Sequence, residues 1–504
     1  MNHIVIAPLL APLSAGVLLL LLRHLDLRLR RVLSVAALLA QLGLAFALTA
    51  HVADGAILTY ALGDWPAPYG IVLVADRLAA WMLLTTLLLA LFALLAALRG
   101  LDAAGRHFHV LFHLQLFGLA GAFLTGDLFN LFVFFEVLLI ASYGLMLHGG
   151  GAARVQAGLR YVVVNLAGSS LFLIAVGTLY GVTGTLNMAD LARALAHTPA
   201  EHLGLARAAG LLLLAVFALK CAAAPLHLWL PATYAQASAP VAALFAIMTK
   251  VGVYSILRAD SLVFGPASGP LSGLLDPWLL PLALLTLALG TLGALASRRL
   301  RLAVAHLVVA SAGTLLAAIG LASPQALAAG LYYLPHTSLA AAAAFLLAEA
   351  VAVRRGALAD ALDPGPAMPA QRWLGALFFL TALALAGLPP LAGFIAKFML
   401  LRAAVGHPAS VWVLGVLLAA GLMGVILLAR SGSLLFYRSS THTVVEAKGA
   451  AALGAELSPI AGLLLLIVAL TAAAPQLTAF TLATAAQLAE PAGYIEAVLS
   501  AGDG

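Results

Sequence analysis

Three of the four lysines in this 504-residue sequence lie inside apolar runs. Lys220 stands in "LKCAAAPLHLWLP", Lys250 in "ALFAIMTKVGVYSIL" and Lys397 in "GLPPLAGFIAKFM"; only Lys448 falls in a loop. The other 21 basic residues are arginines at loop or span-end positions. The two side chains differ in chemistry. Arginine stays protonated in practice, whereas a desolvated lysine can release its proton near neutral pH. The partition points to a chain that uses arginine for topology and lysine as a protonatable group within the membrane. A charge near the centre of a membrane helix costs about 2.5–3.5 kcal/mol on insertion scales, so three such residues imply a use. The competing reading is snorkelling to an interface. Lys250 lies about ten residues, or ~15 Å, from either end of its span, too deep for that.

Glu136 is the matching acid. It lies mid-span in "GDLFNLFVFFEVLLIASYGL", and no other acidic residue is central in a span. A buried carboxylate and a buried lysine lower each other's desolvation cost. A pair that opens can hand its proton onward; the alternative is a purely structural ion pair. His336 in "YYLPHTSLAAAAAF" and His306 in "RLAVAHLVV" are further relay candidates, because histidine exchanges protons near pH 7. A hydrogen-bonded packing role is the alternative for each. His107, His109 and His113 include an i, i+4 pair of the kind that binds metal. They sit at a span entrance with no acidic or cysteine partner expected nearby, so they read as an interfacial cluster, not a metal site. Asp76 and Asp127 stand at span starts, where a helix N-terminus favours a carboxylate. Glu349 closes its span near the arginine-rich face and could mark an exit path. Cys221, the single cysteine, reads as packing beside Lys220 and excludes internal disulfides and a cysteine-ligated cluster. No haem-attachment or Gly-rich nucleotide motif is present, and no cofactor or nucleic-acid partner is expected.

The elements that must position these groups are membrane helices. The chain is 64% hydrophobic and 9% charged, with mean hydropathy +1.10, against about 25% charge in a soluble domain. Apolar runs long enough to span a bilayer recur throughout. Fourteen are expected, at roughly 4–22, 32–51, 78–98, 108–125, 128–147, 159–182, 208–226, 240–260, 278–297, 302–321, 325–350, 373–403, 410–436 and 458–480. The first is read as a retained helix, not a cleaved signal. With both termini outside, inward loops carry 17 basic residues and outward loops 5, counting Arg258 among the outward ones. The positive-inside rule supports that count and orientation. The outward segment 183–207 is expected to hold a short surface helix. Two lysines lie beside helix breakers: Lys220 precedes Pro225, and Lys397 follows "GLPP". Interrupted membrane helices are the usual setting for a midplane ion site. The reversed order of lysine and proline hints at an inverted internal repeat.

"GAFLTGDLFNLFVFFEVLLIASYGL", "PLHLWLPATYAQASAPVAALFAIMTKVGVYSILR" and "LAGLPPLAGFIAKF" resemble the proton-translocating antiporter family. That family holds the antiporter-like subunits of respiratory complex I and the large subunits of Mrp-type (Pha-type) cation/proton antiporters; the likeness is strongest to the D-type members of the latter. It covers about residues 100 to 480. It implies an all-α polytopic fold of about 14 helices, with discontinuous helices 7 and 12. Helices 1–3 would occupy 1–100. Two inverted five-helix repeats would follow at 101–262 and 276–436, and 437–504 would hold an inward loop, helix 14 and an outward tail. The family's functional residues map onto Glu136, Lys220, Lys250 and Lys397, with His306 and His336 matching its helix-10 and helix-11 positions. The chain departs at Thr337 and Ala341, where many relatives have histidine and lysine, and at Tyr234, where many have histidine. The implied function is proton translocation in a multi-subunit exchanger of Na+ or another monovalent cation for H+ in the plasma membrane. A proton-pumping subunit of a redox complex and a structural scaffold with a vestigial polar axis are the alternatives.

Overall fold

A computed structural model of the chain describes residues 3–438 and 453–500. Lys448 and part of the expected inward loop lie outside the described residues. The first six helices are α1 (Ala7–Leu21), α2 (Leu27–Val52), α3 (Arg77–Ala97), α4 (Phe108–Leu124), α5 (Leu128–Leu147) and α6 (Ala152–Thr183). The expected surface helix follows as α7 (Met188–Ala196). Next come α8 (Leu203–Lys220), α9 (Trp229–Gln236), α10 (Ala239–Phe245) and α11 (Met248–Arg258). Then follow α12 (Asp276–Ala296), α13 (Leu300–Gly320), α14 (Pro324–Arg354), α15 (Gln371–Ala386), α16 (Ala392–Ala404) and α17 (Ser410–Gly432). The chain closes with α18 (Leu453–Ala472), α19 (Ala474–Ala489) and α20 (Ala492–Leu499). Among the described residues, eleven helical stretches, α10 and α11 counted together as one, are long and apolar enough to cross a membrane. Shorter apolar ones at Ala7–Leu21, Phe108–Leu124 and Gln371–Ala386 fill the remaining expected spans.

The fold is all-α as expected, with one small addition: β1 (Leu58–Ala61) and β2 (Val72–Ala75) form an antiparallel hairpin between α2 and α3. Two departures from expectation concern the helices. The expected continuous span 240–260 is two helices, α10 and α11, interrupted at Ala246–Ile247. The last expected span does not stop at 480. It bends at Ala473 and continues to Ala489, with α18 and α19 both packed along α14.

Prolines in these helices free backbone carbonyls that other helices satisfy. Pro335 has no N–H for the carbonyl of Leu331, four residues earlier. The Trp81 indole of α3 donates to that oxygen at 2.9 Å. At the α18–α19 bend, Tyr332 donates its hydroxyl to the Leu470 carbonyl at 2.8 Å. Thr471 accepts from the Ala392 backbone N–H at the start of α16, also at 2.8 Å. In a bilayer interior no water replaces such partners. Trp81→Phe is therefore expected to cost about 1–3 kcal/mol, read as a lowered thermal midpoint of the purified protein.

The two proline-marked breaks are built alike. After α8, Ala222 adopts φ 57, Ala223 N–H bonds the Ala218 carbonyl at 2.8 Å and Ala222 N–H bonds that of Leu219 at 3.1 Å. After α15, Gly387 adopts φ 70, Leu388 N–H bonds the Leu383 carbonyl and Gly387 N–H that of Ala384, both at 3.1 Å. Each is a Schellman stop, and each is followed three residues after its left-handed residue by a proline that cannot resume the helix. The expected run 208–226 accordingly ends as a helix at Lys220. The run 373–403 divides at "GLPP" as anticipated.

Candidate functional site

The broken helices place the lysines. Lys220 closes the last turn of α8 and is 5% exposed. Its ammonium donates to the Asn165 carbonyl and the Ser169 hydroxyl of α6, each at 3.2 Å, and faces the Phe135 ring at 5.9 Å. Lys250 lies in the first turn of α11, just after the interruption, and is fully buried. It donates to Ser311 Oγ of α13 at 3.0 Å. Lys397 of α16 reaches back across the break to donate to the Ala386 carbonyl at 2.8 Å. That oxygen belongs to the carbonyl end of α15, where the helix dipole favours a cation. Each ammonium thus meets neutral oxygens. Among the described residues none forms an ion pair with a carboxylate.

Glu136 is half-buried on α5, and its Oε1 has no hydrogen-bond partner. It lies within electrostatic reach of Lys220. No ion pair within 4.0 Å joins the two, so the expected Glu136–Lys220 pair is open in this structure. Phe135, next to Glu136, supplies the ring that Lys220 faces.

The lysines follow one another through close packing. Cys221, beside Lys220, sits against Gly252 of α11: a Cβ on Gly252 would lie 2.4 Å from the Cys221 backbone N. This contact brings the end of α8 to the turn that carries Lys250. Gly252→Ala is therefore expected to push α8 and α11 apart. Cys221 is the chain's only cysteine and is fully buried, so it reports that movement. Maleimide should leave it unlabelled in the native protein and label it in the variant.

Beyond Ser311 a cavity of about 50 Å³ is lined by Ser311, Thr314, Tyr333, His336, Thr337 and Lys397, among others. That volume holds about three waters. His336 is 1% exposed and bonds through Nε2 to the Ala384 carbonyl at 2.9 Å. A Cβ on Gly393 of α16 would lie 2.3 Å from that nitrogen, so only glycine lets α16 approach the ring. Lys220 of α8, Lys250 of α11, His336 of α14 and Lys397 of α16 thus form a succession. Its links are Cys221–Gly252 packing, one hydroxyl and one polar cavity.

His306 stands apart. It is half-buried on α13, five residues before Ser311 and so ~7.5 Å along the axis. It packs against Gly293 of α12, does not line the cavity, and lies within electrostatic reach of His227. His227 escapes the sequence reading. It is buried in the α8–α9 break, with its Nδ1 unpartnered. Its signal is there to be read: a histidine two residues after Pro225 inside an apolar run. Asn165, Ser169, Ser311 and Thr314 carry no such signal, since hydroxyl and amide side chains are common in membrane helices.

Other expectations are corrected or sharpened. The histidine trio does have an acid nearby: His109 Nε2 lies 3.3 Å from Asp102 Oδ2, and His113 bonds Ser34 Oγ at 3.0 Å. Asp102 stands only seven residues before His109, and the 3-10 turn Leu101–Ala103 folds it back onto α4. No metal-binding cluster is found among the described residues. Asp76 and Asp127 cap α3 and α5 through Ala79 and Asn130, both at 2.8 Å. Asp76 also holds Arg258 in a buried two-bond pair at 2.7 and 3.0 Å. Arg258 is therefore an interior residue, not the outward loop charge expected. Glu349 is paired with Arg301.

The chain is similar to known proteins along its length. Residues 125–424 match the family model described as "NADH:quinone oxidoreductase/Mrp antiporter, TM". A Rhizobium meliloti protein described as the D-type component of a "Probable K(+)/H(+) antiporter" is 42% identical, over 99% of this chain and 98% of its own. The D-type component of the Na(+)/H(+) antiporter of Alkalihalophilus pseudofirmus is 36% identical, over 99% and 100%. A chain of the Mrp complex from Dietzia sp. DQ12-45-1b superposes with TM-score 0.87 at 29% identity, covering 99% of this chain and 100% of that one. By the family match over more than half its length and by end-to-end identity, this chain belongs to the NADH:quinone oxidoreductase/Mrp antiporter membrane family.

Proposed function

We propose that this chain carries protons in a multi-subunit membrane antiporter that exchanges a monovalent cation for H+. The observation that carries the reading is the row of protonatable groups Lys220, Lys250, His336 and Lys397, the first three buried and the last half-buried, each held by a neutral oxygen. A relay needs groups that both hold and release a proton, and a path wet enough to pass it. Glu136 is the switch. Closed onto Lys220, it holds that ammonium charged; open, it leaves the proton to pass toward Lys250. Ser311 and the waters of the small cavity extend the path to His336 and Lys397. His306, with His227, serves as a side entry from the arginine-rich face. Residues 101–262 and 276–436 act as two inverted repeats, each supplying one proline-marked break. The setting is the plasma membrane with both termini outside, among the other subunits of the antiporter. The relatives' names give Na+ and K+, and the cation here is of that class.

The test is exchange in everted vesicles holding the intact complex. Added Na+ or K+ should collapse an imposed pH gradient, and Lys220→Ala should abolish that response with the complex still assembled on a native gel. Full exchange in Lys220→Ala would remove the relay. A second reading, a proton-pumping subunit of a redox complex, draws on the family description, which names NADH:quinone oxidoreductase. Purification with flavin or iron–sulfur subunits, and a gradient driven by a reductant instead of a cation, would select it.

A further inference from the structure

We infer that the arginine-rich end of α1, α2 and α4 binds the phosphate headgroup of an anionic phospholipid. A pocket of about 560 Å³ lies there, away from the lysine row. Arg23, Arg30, Arg106, His24, His107 and His109 line it. The acid in its wall is Asp102, and its charge is already used. Burial alone would raise the Asp102 carboxyl, but Arg31 and His109 hold it below its ordinary value. Arg31 grips it with two bonds at 2.6 and 2.7 Å. The guanidiniums of Arg23, Arg30 and Arg106 have no ion pair or hydrogen bond to any described residue.

Two nitrogens inside the pocket wall are buried and unpartnered: Arg30 Nε and His109 Nδ1. His109 itself is only 4% exposed. Three guanidiniums facing one cavity repel one another unless an anion occupies it. Fork-shaped donors of this kind match a phosphate. Leu19 lines the pocket beside the arginines, and Leu18 and Leu21, its neighbours at the end of α1, and Val32 near the start of α2 are exposed, so apolar surface for acyl chains adjoins the basic wall. Basic pockets between helices on the cytoplasmic side are the usual seats of anionic headgroups. A lipid is favoured over a soluble anion because headgroup and tail sites adjoin.

The test uses the whole complex in phosphatidylcholine vesicles containing photoactivatable phosphatidylglycerol. Labelling is expected in peptides 19–30 and 105–110, displaced by unlabelled phosphatidylglycerol and not by inorganic phosphate. Arg106→Gln, on an exposed residue, should weaken labelling about fivefold. Equal labelling by photoactivatable phosphatidylcholine would overturn the proposal, and so would displacement by inorganic phosphate, which marks a free-anion site. A cross-link from this pocket to an acidic segment of another subunit, without lipid labelling, would also overturn it. The wild-type competition decides the matter even if the variant assembles poorly.

Discussion

Lys250→Ala is expected to reduce cation-driven proton exchange at least about 100-fold, which corresponds to ~2.7 kcal/mol on the transfer step. Lys250 is fully buried, and its ammonium donates to Ser311 Oγ at 3.0 Å. It lies between the Cys221–Gly252 contact and the cavity that holds His336 and Lys397. Deleting it removes the station between α8, which packs on α11, and α13, which carries Ser311. Assembly should persist, because the substitution takes away a buried charge and leaves every backbone partner in place. Lys250→Arg separates a relay from a scaffold. A guanidinium keeps the charge and does not release its proton. Exchange should therefore be lost in the arginine variant as well. A fully active Lys250→Arg protein would identify the polar row as a structural feature and place proton transfer in another subunit.

The largest expected loss of stability is at Asp76 and Arg258. The pair is buried, with Arg258 also stacked over Tyr254 at 5.4 Å and Tyr494 at 5.2 Å. It fastens α3, α11 and α20 to one point. Asp76→Asn keeps a side chain able to cap α3 through Ala79, so it isolates the ion pair. Removing one partner of a buried pair leaves the other charge uncompensated and costs about 3–5 kcal/mol. The variant should assemble poorly, with a large fall in thermal midpoint and early proteolysis of the segment around Tyr494. Replacing both partners with leucine should recover much of the loss, because no lone charge remains. Equal stability of Asp76→Asn and wild type would mean that the pair is not what holds this corner.

What the sequence by itself determined follows from properties that act locally. Span positions came from apolar length, because a bilayer demands about 20 residues of it. The short helix α7 and the stop at "GLPP" were readable; at "GLPP" a left-handed glycine ends α15 and the prolines after it cannot resume the helix, whereas Pro335 is carried inside α14. The candidate site was half legible: Glu136 and the three lysines stand out because a charge in an apolar run is costly. Tertiary structure decided the rest. No breaker marks Ala246–Ile247, yet the helix parts there. Tyr234 donates its hydroxyl to the Phe245 carbonyl at 2.9 Å, taking an oxygen that an unbroken helix would use itself. Arg31 reaches Asp102 and Arg258 turns inward to Asp76, because buried charges find partners far away in sequence once water is gone. Ser311 and the Ala386 carbonyl became lysine partners only through helix packing. A hydroxyl or a backbone oxygen carries no mark in the sequence, and its role depends on which charge the fold brings within hydrogen-bonding distance.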